Sequence, residues 1–171
     1  MKRILFTLFV VFSAVCGASA QKTGYVNTEI ILSSLQEYKD TVAILESRTK
    51  VLQTQIEDAF KSVEYLYNSY QETKYNLSQD KRTQVENEII ARERAAKAKQ
   101  QEYFGENGQM TKATEQALKP IREKVQNAIN EVAKAEGYSV IIDLSVMRGV
   151  VYNDNKCNIS EKVVNRLKSN K

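Results

Sequence analysis

Through most of this chain an apolar residue recurs every three or four positions, and a short stretch at each end breaks that rule. From about Tyr38 onward, Leu45, Leu52, Ile56, Phe60, Val63, Tyr67 and Tyr70 follow at steps of 7, 4, 4, 3, 4 and 3. That is the spacing of a coiled-coil seam. The pattern stops at Asn76-Leu77-Ser78-Gln79-Asp80, where Asn and Ser suit a turn and a cap. It resumes at Val85, Ile89, Ala96, Tyr103, Met110 and Ala117, and ends strongly at Leu118, Ile121, Val125, Ala128 and Val132. The block is rich in Glu, Lys, Gln, Arg and Ala, all strong helix formers. The pattern predicts a helical-hairpin arm over residues 39–136 with its tip near 76–80. Each limb would be roughly 60–85 Å long at the helical rise of ~1.5 Å per residue. Such a hairpin cannot fold into a ball and is expected to project.

The second limb is weaker. Arg92 and Lys99 stand where the seam wants apolar residues. Gly105 and Gly108 would each cost ~1 kcal/mol inside a helix. Pro120, lacking a backbone donor, is expected to kink or restart the helix. Two readings stay open: one bendable limb, or a break near Gly105–Gly108 that makes three helices. The hairpin survives either.

Both ends have strand character. Thr23 to Thr28 reads as a strand with Gly24, Val26 and Thr28 on one face, and Asn27 or Thr28 then caps a helix. Gly137 suits a helix C-cap. Tyr138 to Leu144 reads as a second strand, and Gly149-Val150-Val151-Tyr152 as its hairpin partner across Ser145 to Arg148. Ser160 is expected to cap a final amphipathic helix carrying Val163, Val164 and Leu167. The fold class is therefore mostly α with a small β body, built from residues 21–38 and 137–171. A three-stranded end-piece leaves two open edges and buries little alone. Association of several copies would close it, with Val26, Val140, Ile142 and Val151 in the shared core.

Residues 1–20 read as a cleaved secretory signal: Lys2 and Arg3, an apolar run from Ile4 to Val15, then Ala18-Ser19-Ala20. Cys16 invites a lipoprotein reading, but Val15 and Ser13 suit that cleavage poorly, which favours release. The 25 Lys and Arg, less Lys2 and Arg3, leave 23 against 21 acids and a net charge of +2. This gives no case for nucleic acid, and leaves room only for weak contact with a membrane surface. Histidine is absent, which removes the commonest general base and zinc ligand. Cys157 alone would survive processing, so no intramolecular disulfide can form; it is either a tolerated thiol or an intermolecular bridge. There is no G-x-S-x-G, no Gly-rich phosphate loop and no cluster of metal carboxylates. Neither an enzyme nor a cofactor is expected.

Four places carry a resemblance. They are Gly24-Tyr25-Val26-Asn27; Leu118-Lys119-Pro120-Ile121 leading into Ile129-Asn130-Glu131-Val132-Ala133 ahead of Gly137-Tyr138; Val140-Ile141-Ile142-Asp143; and Ile159-Ser160-Glu161-Lys162-Val163-Val164. Their order resembles the Skp/OmpH family of periplasmic chaperones over essentially the whole chain after residue 20, most closely its Bacteroidetes-type members. The resemblance implies a homotrimer whose end-pieces form a β-rich body and whose arms enclose a cavity. It implies ATP-independent holding of unfolded outer-membrane proteins in the periplasm. The chain departs from the family in its low charge, which weakens any claim on acidic lipid or lipopolysaccharide, and in the Gly105–Gly108 interruption.

A holdase needs apolar surface that is spread out and weak at each contact. Off-seam residues are the candidates. Tyr65 lies about 200° around the helix from Val63, Tyr75 sits near the tip, and Ile90 and Phe104 each stand one step off the seam. The alternative is that these side chains complete a broad core between the limbs. The basic cluster Arg92, Arg94, Lys97 and Lys99 would attract acidic clients or form a solvated face. A second function is a structural coiled-coil scaffold of the cell envelope; strand-rich ends favour the chaperone, since a plain spacer does not need them.

Overall fold

The computed structural model describes residues 21–169; the expected signal peptide, residues 1–20, lies outside them. Two compact units divide the chain: one joins the segment ending at Ile31 to the segment beginning at Val125, and the other is Leu32–Lys124.

The first unit holds the sheet. Strand β1 (Thr23–Val26) pairs in parallel with β2 (Val140–Asp143), in register from Thr23↔Val140 to Val26↔Asp143. On its other side β1 meets Asn158 through a single bridge, where the Ile159 N–H donates to the Tyr25 carbonyl at 3.0 Å. Gly24, Tyr25 and Val26 are all buried, so β1 is covered on both faces: Gly24 and Val26 share one, as the alternation of a strand requires, and Tyr25 lies on the other. Asn27 caps helix α1 (Thr28–Ser34) as expected: its Oδ1 accepts the Ile30 N–H at 3.1 Å.

The third strand does not form. Gly149 turns the chain at φ 93, and Val150, Val151 and Tyr152 stay exposed with no strand partner. β-branched residues favour strands only where a neighbouring strand offers surface and ladder bonds. Here β2 pairs with β1 along one edge, and no ladder bond to Val150, Val151 or Tyr152 forms along its other edge. The sheet is therefore two-stranded.

Two helices complete this unit's core. The later part of helix α4 (Gln109–Glu136) buries Val125, Ala128, Ile129 and Val132. It ends at Gly137, φ 75, with the Tyr138 N–H donating back to the Ala133 carbonyl at 2.9 Å. That is the left-handed C-terminal turn that glycine allows without strain. Helix α5 (Ser160–Ser169) buries Val163 and Leu167 and is tied to α4 by Lys162–Glu136 at 2.7 Å and Arg166–Glu131 at 2.6 Å. Ser160 is not the expected cap. It lies inside the first turn, its N–H donates to Asn158 Oδ1, and its Oγ accepts the Asn27 N–H at 2.9 Å. The hydroxyl thus joins two distant segments.

The second unit is the hairpin. Helix α2 (Gln36–Thr73) leads through a short 3-10 turn, Lys74–Asn76, into helix α3 (Gln79–Phe104). Ser78 caps α3, and Arg82 Nε donates to the Leu77 carbonyl at 3.1 Å, pinning the turn. Three cross-bonds set the pairing of α2 with α3: Gln55 with Tyr103, Ser62 with Arg92, and Tyr70 with Glu86. One number falls as the other rises, so the limbs are antiparallel about the turn. The bond to Glu86 also raises the Tyr70 phenol above its ordinary value. Seam residues Leu52, Ile56, Tyr70, Ala96 and Met110 are buried.

Of the two readings of the second limb, the break is realised. α3 ends at Phe104, α4 begins at Gln109, and the Gly108 N–H closes a tight turn on the Gly105 carbonyl at 2.8 Å. Pro120, by contrast, neither breaks nor restarts α4, which runs through it. The carbonyl it leaves unpaired belongs to Gln116; both residues are exposed, so water can take the missing donor's place.

Candidate functional site

Each off-seam candidate lies on the surface of the hairpin. Tyr65 is 77% exposed, Tyr75 79%, Ile90 45% and Phe104 36%. None of them completes a core between the limbs. Helical geometry explains this: α2 and α3 each have one partner limb here, so residues a step or two off the seam turn past it. The same reasoning extends to residues not singled out from the sequence. Ile44 and Val51 stand one step before the seam residues Leu45 and Leu52, and both are exposed. With Tyr65 they fall on one row of α2 at multiples of seven. Tyr67, placed in the seam by its spacing, is half exposed.

The association candidates separate. Val26 is 1% exposed, already buried within its own chain. Ile142 is half-buried, Val140 is 42% exposed and Val151 99%. Val146, Met147 and Tyr152 are exposed beside Val151, so an apolar segment follows β2 on the surface of the first unit.

A dent of about 240 Å³ opens between α2 and α3, lined by Ala59, Ser62, Arg92, Ala95, Ala96 and Lys99. Arg92 is held by Glu88 at 2.5 Å and Ser62 at 3.1 Å. Lys97 binds Glu93 at 2.5 Å, and this bond, aided by the lysine's charge, lowers the Glu93 carboxyl below its usual range.

One polar network braces the first unit. The Asp143 carboxylate accepts the Thr28 N–H at 3.1 Å, the Thr28 hydroxyl at 2.6 Å, the Ser145 N–H at 3.0 Å and the Ser145 hydroxyl at 2.8 Å. Burial pushes this carboxyl up, but the hydrogen bonds outweigh it and hold it below its ordinary value. The network fixes the end of β2 to the start of α1. Among the described residues there is no group of three or more metal-ligating side chains, and no helix long and apolar enough to cross a membrane.

A long antiparallel helical hairpin joined to a small sheet defines a recognisable class of fold. A solved structure of an OmpH-like outer-membrane chaperone from Caulobacter crescentus shares it, with a TM-score of 0.68 over 91% of this chain and 88% of that one, at 17% identity. Residues 22–167 match the family model described as Outer membrane protein (OmpH-like), and the chain belongs to that family. It is similar to the Chaperone protein Skp of Vibrio cholerae, 28% identical over 161 residues, 88% of this chain and 85% of that protein. It is also similar to the Chaperone protein Skp of Photorhabdus laumondii, 27% identical over 172 residues, 98% of this chain and 100% of that protein.

Proposed function

We propose that this protein is an ATP-independent periplasmic holdase that binds unfolded outer-membrane proteins, keeps them from aggregating, and works as a homotrimer. The function is binding, not catalysis. The observation that carries it is the spread of exposed apolar side chains over both limbs: Ile44, Val51, Tyr65 and Tyr67 on α2, Tyr75 in the turn, Ile90 and Phe104 on α3. Repeated weak contacts of this kind retain a chain without fixing its structure, because simultaneous contacts multiply. Tyrosine suits the task, giving contact area at low entropic cost while tolerating water. The names of the relatives, Chaperone protein Skp, support the same reading. A coiled-coil spacer would have no need of the β1–β2 unit.

The test is aggregation of a denatured outer-membrane protein on dilution, with this protein added and no nucleotide. Changing Tyr65 or Phe104 alone to Ser is expected to have a small effect. Changing Tyr65, Tyr75, Ile90 and Phe104 together is expected to remove most holding while helicity stays intact. Full holding by the fourfold variant would make these side chains bystanders. No holding by the parent would favour the envelope scaffold.

A further inference from the structure

The basic cluster of the second limb is not used by the surface described so far. Lys97 is committed to Glu93 and Arg92 to Glu88, whereas Lys99 has no ion-pair partner among the described residues. Lys99 and Arg92 both line the dent between the limbs. By helical spacing they stand one turn to either side of Ala95 and Ala96. The dent follows from the sequence: with alanines at 59, 95 and 96 and cations at 92 and 99, the seam lacks the bulk to close. Tyr65, three residues on from Ser62 and therefore its neighbour on α2, adds exposed aromatic surface beside the opening.

We infer that this dent docks a segment of non-native polypeptide carrying an acidic residue next to an apolar one. The apolar side chain enters the alanine-lined space, and the carboxylate meets Lys99. The inference rests on the holding function proposed above and gives it a charge preference. Charge complementarity supports it: of the two cations at the opening Arg92 is paired with Glu88, which leaves Lys99 as the uncompensated charge, while Glu93 is taken by Lys97 and Asp58 lies 4.0 Å from Lys61. Size argues against a second copy of the chain. Six residues line the dent, whereas a stable protein interface uses ~20–30 a side. A small site that takes one side chain fits a weak contact repeated along a client.

The experiment measures binding of short labelled peptides to the full protein by fluorescence anisotropy. One peptide carries an Asp-Phe pair, a second Asn-Phe and a third Asp-Ser. The parent is expected to prefer the first. Lys99→Gln is expected to weaken it by up to about fivefold, the upper end of what an exposed ion pair carries, Ala95→Leu to weaken it by filling the space, and Lys50→Gln, equal in charge change but outside the lining of the dent, to leave it unchanged. Circular dichroism checks that Ala95→Leu stays helical; the surface change at Lys99 keeps the test valid if it does not. Equal binding of the three peptides, or equal weakening by Lys50→Gln and Lys99→Gln, would overturn the site. So would Lys99-dependent binding to anionic lipid vesicles in place of peptide. If client holding fails while Lys99-dependent peptide binding persists, the proposed function falls and the dock stands. If holding persists without that dependence, the dock falls alone.

Discussion

At the scale of single residues, Asp143 is the most consequential polar group. Its carboxylate gathers four donors from Thr28 and Ser145, which hold its proton affinity below that of a free aspartate despite partial burial. The folded-state value is lower than the unfolded one. The stabilisation is therefore fully present above the unfolded value of about 3.9 and is lost as pH falls through the folded value. Urea midpoints between about pH 6 and pH 2.5 are expected to decline in the parent, through this group among others. Asp143→Asn keeps an acceptor oxygen but cannot titrate, so its decline is expected to be shallower; matching slopes would show that the network does not couple to pH. None of this was legible in the sequence, where Asp143 is the polar end of an apolar strand. The bonds come from residues 115 positions upstream and two downstream, and only the parallel pairing of β1 and β2 brings Thr28 within reach.

At the scale of elements, the hairpin was largely written in the spacing of apolar residues. Leu52, Ile56, Tyr70, Ala96 and Met110 are buried where the seam put them, and the turn falls at the seam's interruption. The same geometry singled out Tyr65, Tyr75, Ile90 and Phe104 without deciding between open surface and a broad core; the structure exposes them, and Ile44 and Val51 could have been found likewise. The dent was half legible: Arg92 and Lys99 were visible as flaws in the seam, but the space they leave depends on the facing Ala59. Tertiary context decided the rest. Gly149–Tyr152 has strand composition without a partner, and Pro120 sits where solvent can satisfy the carbonyl it orphans. The joint at Gly105 supplies a further prediction. Its φ of −63 is open to any residue, yet an added Cβ would overlap the Gln101 carbonyl oxygen; at Gly108 it would lie 2.8 Å from the Tyr103 carbonyl oxygen. Helix propensity alone would have Gly105→Ala stabilise. The overlap is expected instead to cost about 1–3 kcal/mol, the usual penalty of overpacking. Chemical denaturation of the variant reads the sign directly, and a gain in stability would show that the chain re-forms as helix across the joint.

At the scale of the whole molecule, association and folding can be separated through Val151. At 99% exposure it contributes nothing to the core of a single chain, whereas Val26, at 1%, belongs entirely to that core. Val151→Asp is therefore expected to lower the mass seen by light scattering from trimer to monomer with circular dichroism unchanged. An unaltered trimer would remove this segment from the interface, and a parent that is monomeric at micromolar concentration would remove the trimer itself. The pairing of β1 with β2 has a different consequence, in time rather than in space. Thr23 and Val140 are 117 positions apart, and the segment between them contains the entire hairpin. Local antiparallel helices form early, while a contact of such long range must wait for its loop to close. Refolding is expected to show rapid gain of helix followed by slower burial of Tyr25; simultaneous phases would refute that order. A chain made from its first residue onward must keep β1 unmatched until Val140 to Asp143 arrive. The closed sheet is then a certificate of completeness: a chain cut short before Val140 can form its helices yet has no strand with which to seal its beginning.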